Sequence, residues 1–147
     1  MVKAGLLAGL LDITATGLKV VVFGSGTAPR LLQGIASGIL GPAAFEGGWP
    51  VAGLGLMIHF TIAGIWAAIF AFAATRLAAF SRVRSIGATS AVGLGYGALV
   101  WLAMDFVVLA HSRARPVPVT SSGFWLQLTI HMVCVGLPIA LTVLKRS

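Results

Sequence analysis

Acidic residues are nearly absent from this chain, and charges of either sign are scarce. Asp12, Glu46 and Asp105 are the only acids, and charged residues make up 9 % of the 147 residues, against about 25 % in soluble proteins. The ten Lys and Arg give a formal net charge of +7, but they lie singly or in small groups at the ends of apolar runs. That placement orients helices in a bilayer. We therefore expect a lipid bilayer, and no nucleic acid, as partner.

Sulfur ligands and catalytic motifs are also scarce. Cys134 is the single cysteine, which excludes an internal disulfide. No HExxH, paired CxxC or GxSxG motif is present, and the GSG at residues 24–26 has neither the lysine nor the spacing of a phosphate-binding loop. Because the loops are short and few residues are polar, there is little room for a soluble catalytic site. We expect no enzymatic activity.

Long apolar runs are what the sequence does contain. Residues 51–75 hold no Asp, Glu, Lys or Arg, and His59 is their only ionisable group. At ~1.5 Å per residue, a helix of this length covers ~37 Å, enough to cross a hydrocarbon core of ~30 Å. Similar runs predict four transmembrane helices, at residues 4–23, 50–76, 86–110 and 123–144. The predicted fold is all-α, a single polytopic membrane domain.

The connection between the first two spans, residues 24–49, has a helical pattern of its own. Over residues 29–40 one side carries Leu31, Leu32, Ile35 and Ile39. The polar and small residues of the connection include Gln33, Ser37, Gly38 and Glu46. The pattern predicts a short amphipathic helix that cannot span a bilayer and is either interfacial or re-entrant. It is either a surface connector, or a lid or half-helix that lines a substrate cavity.

Small and polar residues follow one stripe on each of two spans. The first stripe, at helical spacing, consists of Gly5, Gly9, Asp12, Thr16 and Lys19, and the second of Gly93, Gly97, Trp101 and Asp105. Such stripes face other helices rather than lipid. We expect both to point inward, with the Lys19 ammonium reaching back to the headgroups. Because charges interrupt the first run, we expect a retained span rather than a cleaved signal.

The distribution of basic residues predicts the orientation. Four spans place both termini on one side, with Lys3, Arg76, Arg82, Arg84, Lys145 and Arg146. The opposite side has Arg30, Arg113 and Arg115. Since cytoplasmic loops carry the excess of Lys and Arg, both termini are expected in the cytoplasm.

Four ionisable residues at membrane depth are the candidate functional residues: Asp12, His59, His131 and Asp105. Counted from the span ends, the two histidines lie at a matched depth of ~12–13 Å, with Asp12 about one helical turn deeper and Asp105 shallower, at ~8 Å. Supporting residues are Thr16, Lys19, Gln127 and Cys134. Because buried charges are costly in a membrane, each is a candidate for function.

Such a cluster suits three chemistries. It could pass protons, since imidazole titrates near neutral pH. It could bind a divalent metal through imidazole and carboxylate, with Cys134 or Met57 as a soft ligand. His59 and His131 could be the axial ligands of a b-type haem. Alternatively, the histidines only hydrogen-bond neighbouring helices and fix their packing, worth ~0.6 kcal/mol on average in membranes.

The segments LLDI, LQGIASGILGPAAFEGG, the His59-Phe60 pair and GYGALVWLAMDFVVLAHS resemble an uncharacterised family of small bacterial inner-membrane proteins. The most specific part is the QGIASGILG…FEGG connector. The resemblance implies a four-helix fold and a bacterial inner membrane, and brings no activity with it. Members of that family carry an amide where this chain has Asp105, which argues against a mechanism that needs a carboxylate there.

Three functions are compatible with these observations. The first is a non-catalytic accessory subunit that packs against other membrane proteins through its glycine-rich faces. The second is a small proton-coupled transporter or conductor that uses Asp12, His59 and His131, with a homo-oligomer as one form. The third is a haem- or metal-binding membrane protein.

Overall fold

The computed structural model describes residues 1–23, 26–83 and 85–144, and within these ranges it contains helices and no strand. The α-helices are α1 Val2–Val22, α2 Ala28–Leu40, α3 Gly48–Arg76, α4 Ile86–Ala103, α5 Ser122–Ile130 and α6 Leu137–Leu144. Two π-helical stretches extend them: Met104–Leu109 continues α4, and His131–Gly136 joins α5 to α6. Short 3₁₀ turns lie at Gly41–Glu46 and Ala78–Arg82.

Four continuous helical segments are long and apolar enough to cross a membrane: Val2–Val22, Gly48–Arg76, Ile86–Leu109 and Ser122–Leu144. In the second, only 22 % of the most apolar window is buried, so the helix presents large apolar side chains outward. In water such a surface would drive aggregation, whereas lipid solvates it. The prediction of an all-α polytopic fold is confirmed.

Both predicted stripes face the protein interior. On α1, Gly5, Gly9, Asp12 and Thr16 are buried, and on the third span the same holds for Gly93, Gly97, Trp101 and Asp105. α1 packs against α3 and against the fourth span, and α4 packs along the fourth span. Small residues on these faces let the helices approach closely, as expected when lipid supplies no hydrophobic drive for association.

The tightest contact is between α4 and the fourth span. A Cβ atom at Gly136 would overlap the backbone of both Gly93 and Gly97, and a Cβ at Gly97 would overlap the backbone of His131. Only glycine fits at such positions. This contact lies in the π-helical stretch just before Pro138, which lacks an N–H and crowds the preceding turn. The wider π-helical turn accommodates this proline.

The amphipathic helix α2 packs on α3. It begins at Thr27, whose hydroxyl accepts the Arg30 N–H at 3.4 Å. A Cβ at Gly55 of α3 would overlap the Leu32 carbonyl of α2, and Gln33 donates to the Gly48 carbonyl at 3.1 Å. The polar side of α2 is therefore buried against protein. Its apolar side lines a cavity and continues outward to the exposed Ile39.

The two ends of the bundle carry different residues. A cavity of about 490 Å³ at one end is lined by Met1, Arg76 and Leu144, so both ends of the described chain lie there. Arg30 and Arg115 line a second, larger cavity that is closed toward that end by the core. Three basic residues used for the predicted orientation, Arg84, Lys145 and Arg146, lie outside the described residues.

Candidate intramembrane binding site

A cavity of about 900 Å³ lies between the four spans and α2. Its outer end is lined by the exposed Arg30 and Arg115. Toward the other end of the bundle, space between α3 and α4 is filled by aromatic side chains, where the Tyr96 hydroxyl donates to the Trp66 carbonyl at 2.6 Å. Phe70 and Ile139 belong to the core that continues from there. Packed side chains therefore bound the cavity at this end.

Most of the cavity lining is apolar and comes from α2, α3 and α4; it includes Leu31, Ile35, Ile62, Val100 and Met104. The polar lining is concentrated on α1 and the fourth span. We call this set the polar strip, and it consists of Asp12, Thr16, Lys19, Gln127 and His131. One side of the cavity therefore suits an apolar chain, while the other offers hydrogen bonds.

Gln127 holds the outer part of the polar strip together. Its amide N–H donates to the Thr16 hydroxyl at 2.8 Å, and its amide oxygen accepts from the Lys19 ammonium. The expectation that Lys19 reaches back to the headgroups is wrong. Its side chain lies along the cavity, because the Gln127 amide offers an acceptor on the neighbouring span.

Asp12 and His131 form the deeper part of the strip. The Asp12 Oδ1 lies 3.6 Å from the His131 Nδ1, which also lies 3.0 Å from the Gln127 carbonyl. Asp12 is 7 % exposed, and its Oδ1 has no hydrogen-bond partner within the described residues. Buried polar atoms are nearly always hydrogen-bonded. The unpartnered Oδ1 therefore makes Asp12 a candidate contact for a ligand in the cavity.

Trp101 packs beside the same imidazole. The rings of Trp101 and His131 have centroids 5.0 Å apart, and the buried indole Nε1 has no partner among the described residues either. The sequence places Trp101 only on a stripe that faces other helices. The signal that places it at the site is its position on the inward stripe of the third span, one turn from Gly97.

His59 lines the cavity, but its ring is hydrogen-bonded to the backbone of α1. Its Nε2 lies 2.8 Å from the Gly9 carbonyl. Since a carbonyl only accepts, this nitrogen carries the proton and has no lone pair for a metal. A haem held through the Nε2 atoms of His59 and His131 therefore does not fit this arrangement.

Metal binding finds no support in the described ranges, where no three His, Cys, Asp or Glu side chains come together. Met57, considered a soft ligand, is 69 % exposed on the outside of the bundle. Cys134 is half-buried and does not line the cavity.

Asp105 does not join the polar strip. Its carboxylate is buried and accepts the Val117 N–H at 2.7 Å, which ties the 110–121 loop to the third span. The same loop is tied to α2, because the Arg113 N–H donates to the Gly38 carbonyl at 3.0 Å. An amide oxygen would accept from Val117 equally well, so this position needs an acceptor and not a negative charge.

The connector residues Gly38, Ser37 and Glu46 lie in different surroundings. Gly38 lines the cavity and lies against Ser112. Ser37 donates to the Gly34 carbonyl of its own helix at 2.6 Å. Glu46 is exposed at the end of the 3₁₀ turn and does not line the cavity.

Comparison of the chain with protein-family models, curated proteins and solved structures finds no match. The resemblance to a family of bacterial inner-membrane proteins stays a prediction. Function must therefore be argued from the cavity and its residues.

Proposed function

We propose that this protein is a small proton-coupled transporter of a bacterial inner membrane, and that it takes an amphiphilic solute into the cavity from the outer side. One observation carries the proposal. A cavity of about 900 Å³ is lined by a buried carboxylate, Asp12, whose Oδ1 has no hydrogen-bond partner among the described residues and lies 3.6 Å from a histidine ring nitrogen.

The cost of burying Asp12 favours a functional role. An ionisable side chain at membrane depth costs about 2.5–3.5 kcal/mol or more and is retained mainly in ion or substrate pathways. The Lys19 ammonium, which could neutralise it, donates instead to Gln127. Asp12 therefore keeps acceptor capacity for a proton or for a solute.

The neighbouring imidazole makes Asp12 suited to proton exchange. The His131 ring has two nitrogens that can accept and donate protons, and it lies beside the carboxylate. Protonation of Asp12 removes its attraction for a charged imidazole and changes how the first and fourth spans interact. Packed aromatic side chains bound the cavity toward the other end, which fits the outward-open state of an alternating-access cycle.

The orientation follows from the basic residues. With Met1, Arg76 and Leu144 at one end and Arg30 and Arg115 at the other, the positive-inside rule favours cytoplasmic termini when Arg84, Lys145 and Arg146 are counted with the first end. The cavity then opens on the outer side.

We prefer transport to an accessory-subunit role because the glycines of the two inward stripes are already packed against helices of the same chain. Gly5 packs on Gly64, and Gly93 and Gly97 pack on Gly136. Association with other membrane subunits or with a second copy stays a prediction.

The proposal is tested by proton uptake into liposomes. The protein is reconstituted with pyranine trapped inside, a potassium diffusion potential is applied with valinomycin, and internal acidification is followed. We expect uptake above that of empty liposomes, and Asp12→Asn to reduce it to the empty-liposome rate. Asp105→Asn makes the same chemical change and keeps the acceptor for Val117, so we expect it to retain the wild-type rate.

A second pair of variants tests the cavity itself. Gly34 lines the cavity and Gly95 is exposed on the outside, and a Cβ atom at either would meet no atom within 4 Å. Gly34→Trp should block uptake, whereas Gly95→Trp should not. Uptake that is absent from the wild type, or unaffected by Asp12→Asn, contradicts the proposal.

A further inference from the structure

We infer, on the basis of the proposed function, that the solute carries an uncharged, hydroxyl-bearing headgroup on an apolar chain. The hydroxyl donates to the Asp12 Oδ1 and accepts from the Trp101 Nε1. The inference goes beyond transport of an amphiphile, because it names the chemical class that the cavity selects.

The site has one hydrogen-bond acceptor and one hydrogen-bond donor that lack partners. The Asp12 Oδ1 and the Trp101 Nε1 are the two buried side-chain N or O atoms without a partner in the described ranges. Both residues line the cavity, and both contact the His131 ring, Asp12 at 3.6 Å and Trp101 at 5.0 Å between centroids. Asp12 and Trp101 therefore lie in the same part of the cavity, beside His131. A hydroxyl group has one donor and two acceptor lone pairs, and satisfies both atoms at once.

The charged side chains that line the cavity favour an uncharged solute. The cavity is lined by three bases, Lys19, Arg30 and Arg115, and one acid, Asp12. An organic cation must pass the two exposed arginines at the outer end, which repel it. An anion that reaches the deep end meets the Asp12 carboxylate, where repulsion is stronger because the surroundings are apolar. An uncharged polar group avoids both penalties.

More than one hydroxyl can be held. The Lys19 ammonium has three N–H donors and gives one to Gln127. Its other N–H groups and the acceptor on Thr16 are on the same strip. A short polyol, such as glycerol, can therefore lie along the polar strip, with its terminal hydroxyl between Asp12 and Trp101.

The remaining lining accommodates the chain. Ile62, Val100 and Met104 supply an apolar side of the cavity, and Leu31 and Ile35 of α2 continue it. Pockets of about 300–1,000 Å³ with apolar walls and a few placed polar groups are typical of small-molecule sites. The volume of about 900 Å³ is in this range.

The test uses four probes with the same alkyl chain: 1-O-dodecylglycerol, its di-O-methyl ether, dodecylammonium and dodecyl phosphate. Binding to the full-length protein in nanodiscs is measured by native mass spectrometry and by tryptophan fluorescence. The glycerol ether should bind most tightly. The dimethyl ether has no hydroxyl donor for Asp12, and loss of a hydrogen bond to a charged group predicts about tenfold to a hundredfold weaker binding.

Variants of Trp101 and Asp12 test whether the indole Nε1 and the carboxylate bind the hydroxyl group. Trp101→Phe keeps an aromatic ring and removes the donor, and should weaken binding of the glycerol ether about threefold to tenfold, the effect of one neutral hydrogen bond. Trp49→Phe makes the same change at a side chain that is 73 % exposed and outside the cavity, and should have no effect. Asp12→Leu should abolish the preference over the dimethyl ether, and Asp12→Asn, which keeps an acceptor oxygen, should restore part of it.

The outcomes separate the two proposals. Equal binding of the glycerol ether and its dimethyl ether, or tightest binding of a charged probe, overturns the hydroxyl inference while proton uptake can still support transport. Binding that Trp101→Phe leaves unchanged also overturns it. If no probe binds and no proton uptake occurs, both proposals fail.

Discussion

The imidazole of His131 lies 3.6 Å from the carboxylate of Asp12, and this pair connects the first membrane-spanning helix to the last. Around it the chain places an orphaned acceptor, an orphaned donor and a cavity of about 900 Å³. The candidate site is thus made where α1 meets a π-helical turn, and π-helical turns are frequent at functional sites.

The Gln127–Thr16 hydrogen bond should contribute modestly to stability. We expect a double-mutant cycle with Gln127→Leu and Thr16→Val to give a coupling free energy of about 0.6 kcal/mol, the average for such bonds in a membrane, because the unfolded chain also finds partners there. Steric trapping in bicelles measures it. Leu126→Ala with Thr14→Val serves as the control pair, since the Thr14 hydroxyl bonds only to its own helix. A coupling near zero contradicts the observed bridge.

The α4–fourth-span contact should not tolerate a methyl group. Gly136→Ala places a Cβ onto the backbone of Gly93 and Gly97, so we expect a loss of about 1–3 kcal/mol or more from overpacking. Thermal unfolding in detergent measures the change. Gly95→Ala is the control: its Cβ faces open space, and alanine favours a helix, so the melting temperature should be unchanged or higher. Equal effects of the two variants would show that the close approach is absent.

The Asp105 carboxylate should hold the outer loop closed. Asp105→Leu removes the acceptor for the Val117 N–H, and a donor left without its partner costs about 1–3 kcal/mol, so the open loop should become roughly five- to a hundredfold more populated. Trypsin cleavage after Arg113 reports the open state, since Arg115 precedes a proline and is not a trypsin site. Asp105→Asn keeps the acceptor and should be cleaved at nearly the wild-type rate. If the amide variant is cleaved as fast as Asp105→Leu, the charge and not the acceptor holds the loop.

His59 should act through packing and not through proton transfer. His59→Gln retains an N–H that can donate to the Gly9 carbonyl, so we expect proton uptake near the wild-type rate. His131→Gln removes the ring that can pass a proton beside Asp12 and should reduce uptake strongly. Liposomes with trapped pyranine measure both. Equal loss in the two variants would place His59 in the proton pathway.

The orientation can be tested with single cysteines. In a Cys134→Ala background, Thr120→Cys lies in the loop beside Pro118, and Ala79→Cys lies in the 3₁₀ turn that follows α3. Both residues are exposed. A membrane-impermeant maleimide added to intact bacterial cells should label Thr120→Cys and leave Ala79→Cys unlabelled until the cells are opened. The reverse labelling pattern contradicts cytoplasmic termini.

The features that depend on the period of a single helix could be predicted from the sequence. The apolar runs at residues 51–75 and elsewhere predict the spans, because length and hydropathy alone decide whether a helix can cross lipid. The inward stripes of α1 and α4 followed from spacing, since residues four apart share a face. Asp12 and His131 were both identified as costly groups at membrane depth.

Features that depend on which acceptor lies nearby were not accessible in this way. The sequence predicts that Lys19 reaches the headgroups, but the amide oxygen of Gln127 on another span accepts its hydrogen bond. Asp105 was grouped with the other ionisable residues by depth, yet the Val117 N–H of a distant loop holds it. Trp101 was read as packing because an unpartnered indole N–H can be recognised only when every neighbour is known.

The sequence by itself determined that this chain forms apolar helices with defined inward faces, because solvation by lipid acts on each helix separately. Only the tertiary structure decided which inward groups meet. Tight glycine contacts bring α4 onto the fourth span at one place, and the spans leave a cavity elsewhere. Pairing between helices depends on the shapes of two surfaces, and the pattern of one helix does not contain the other.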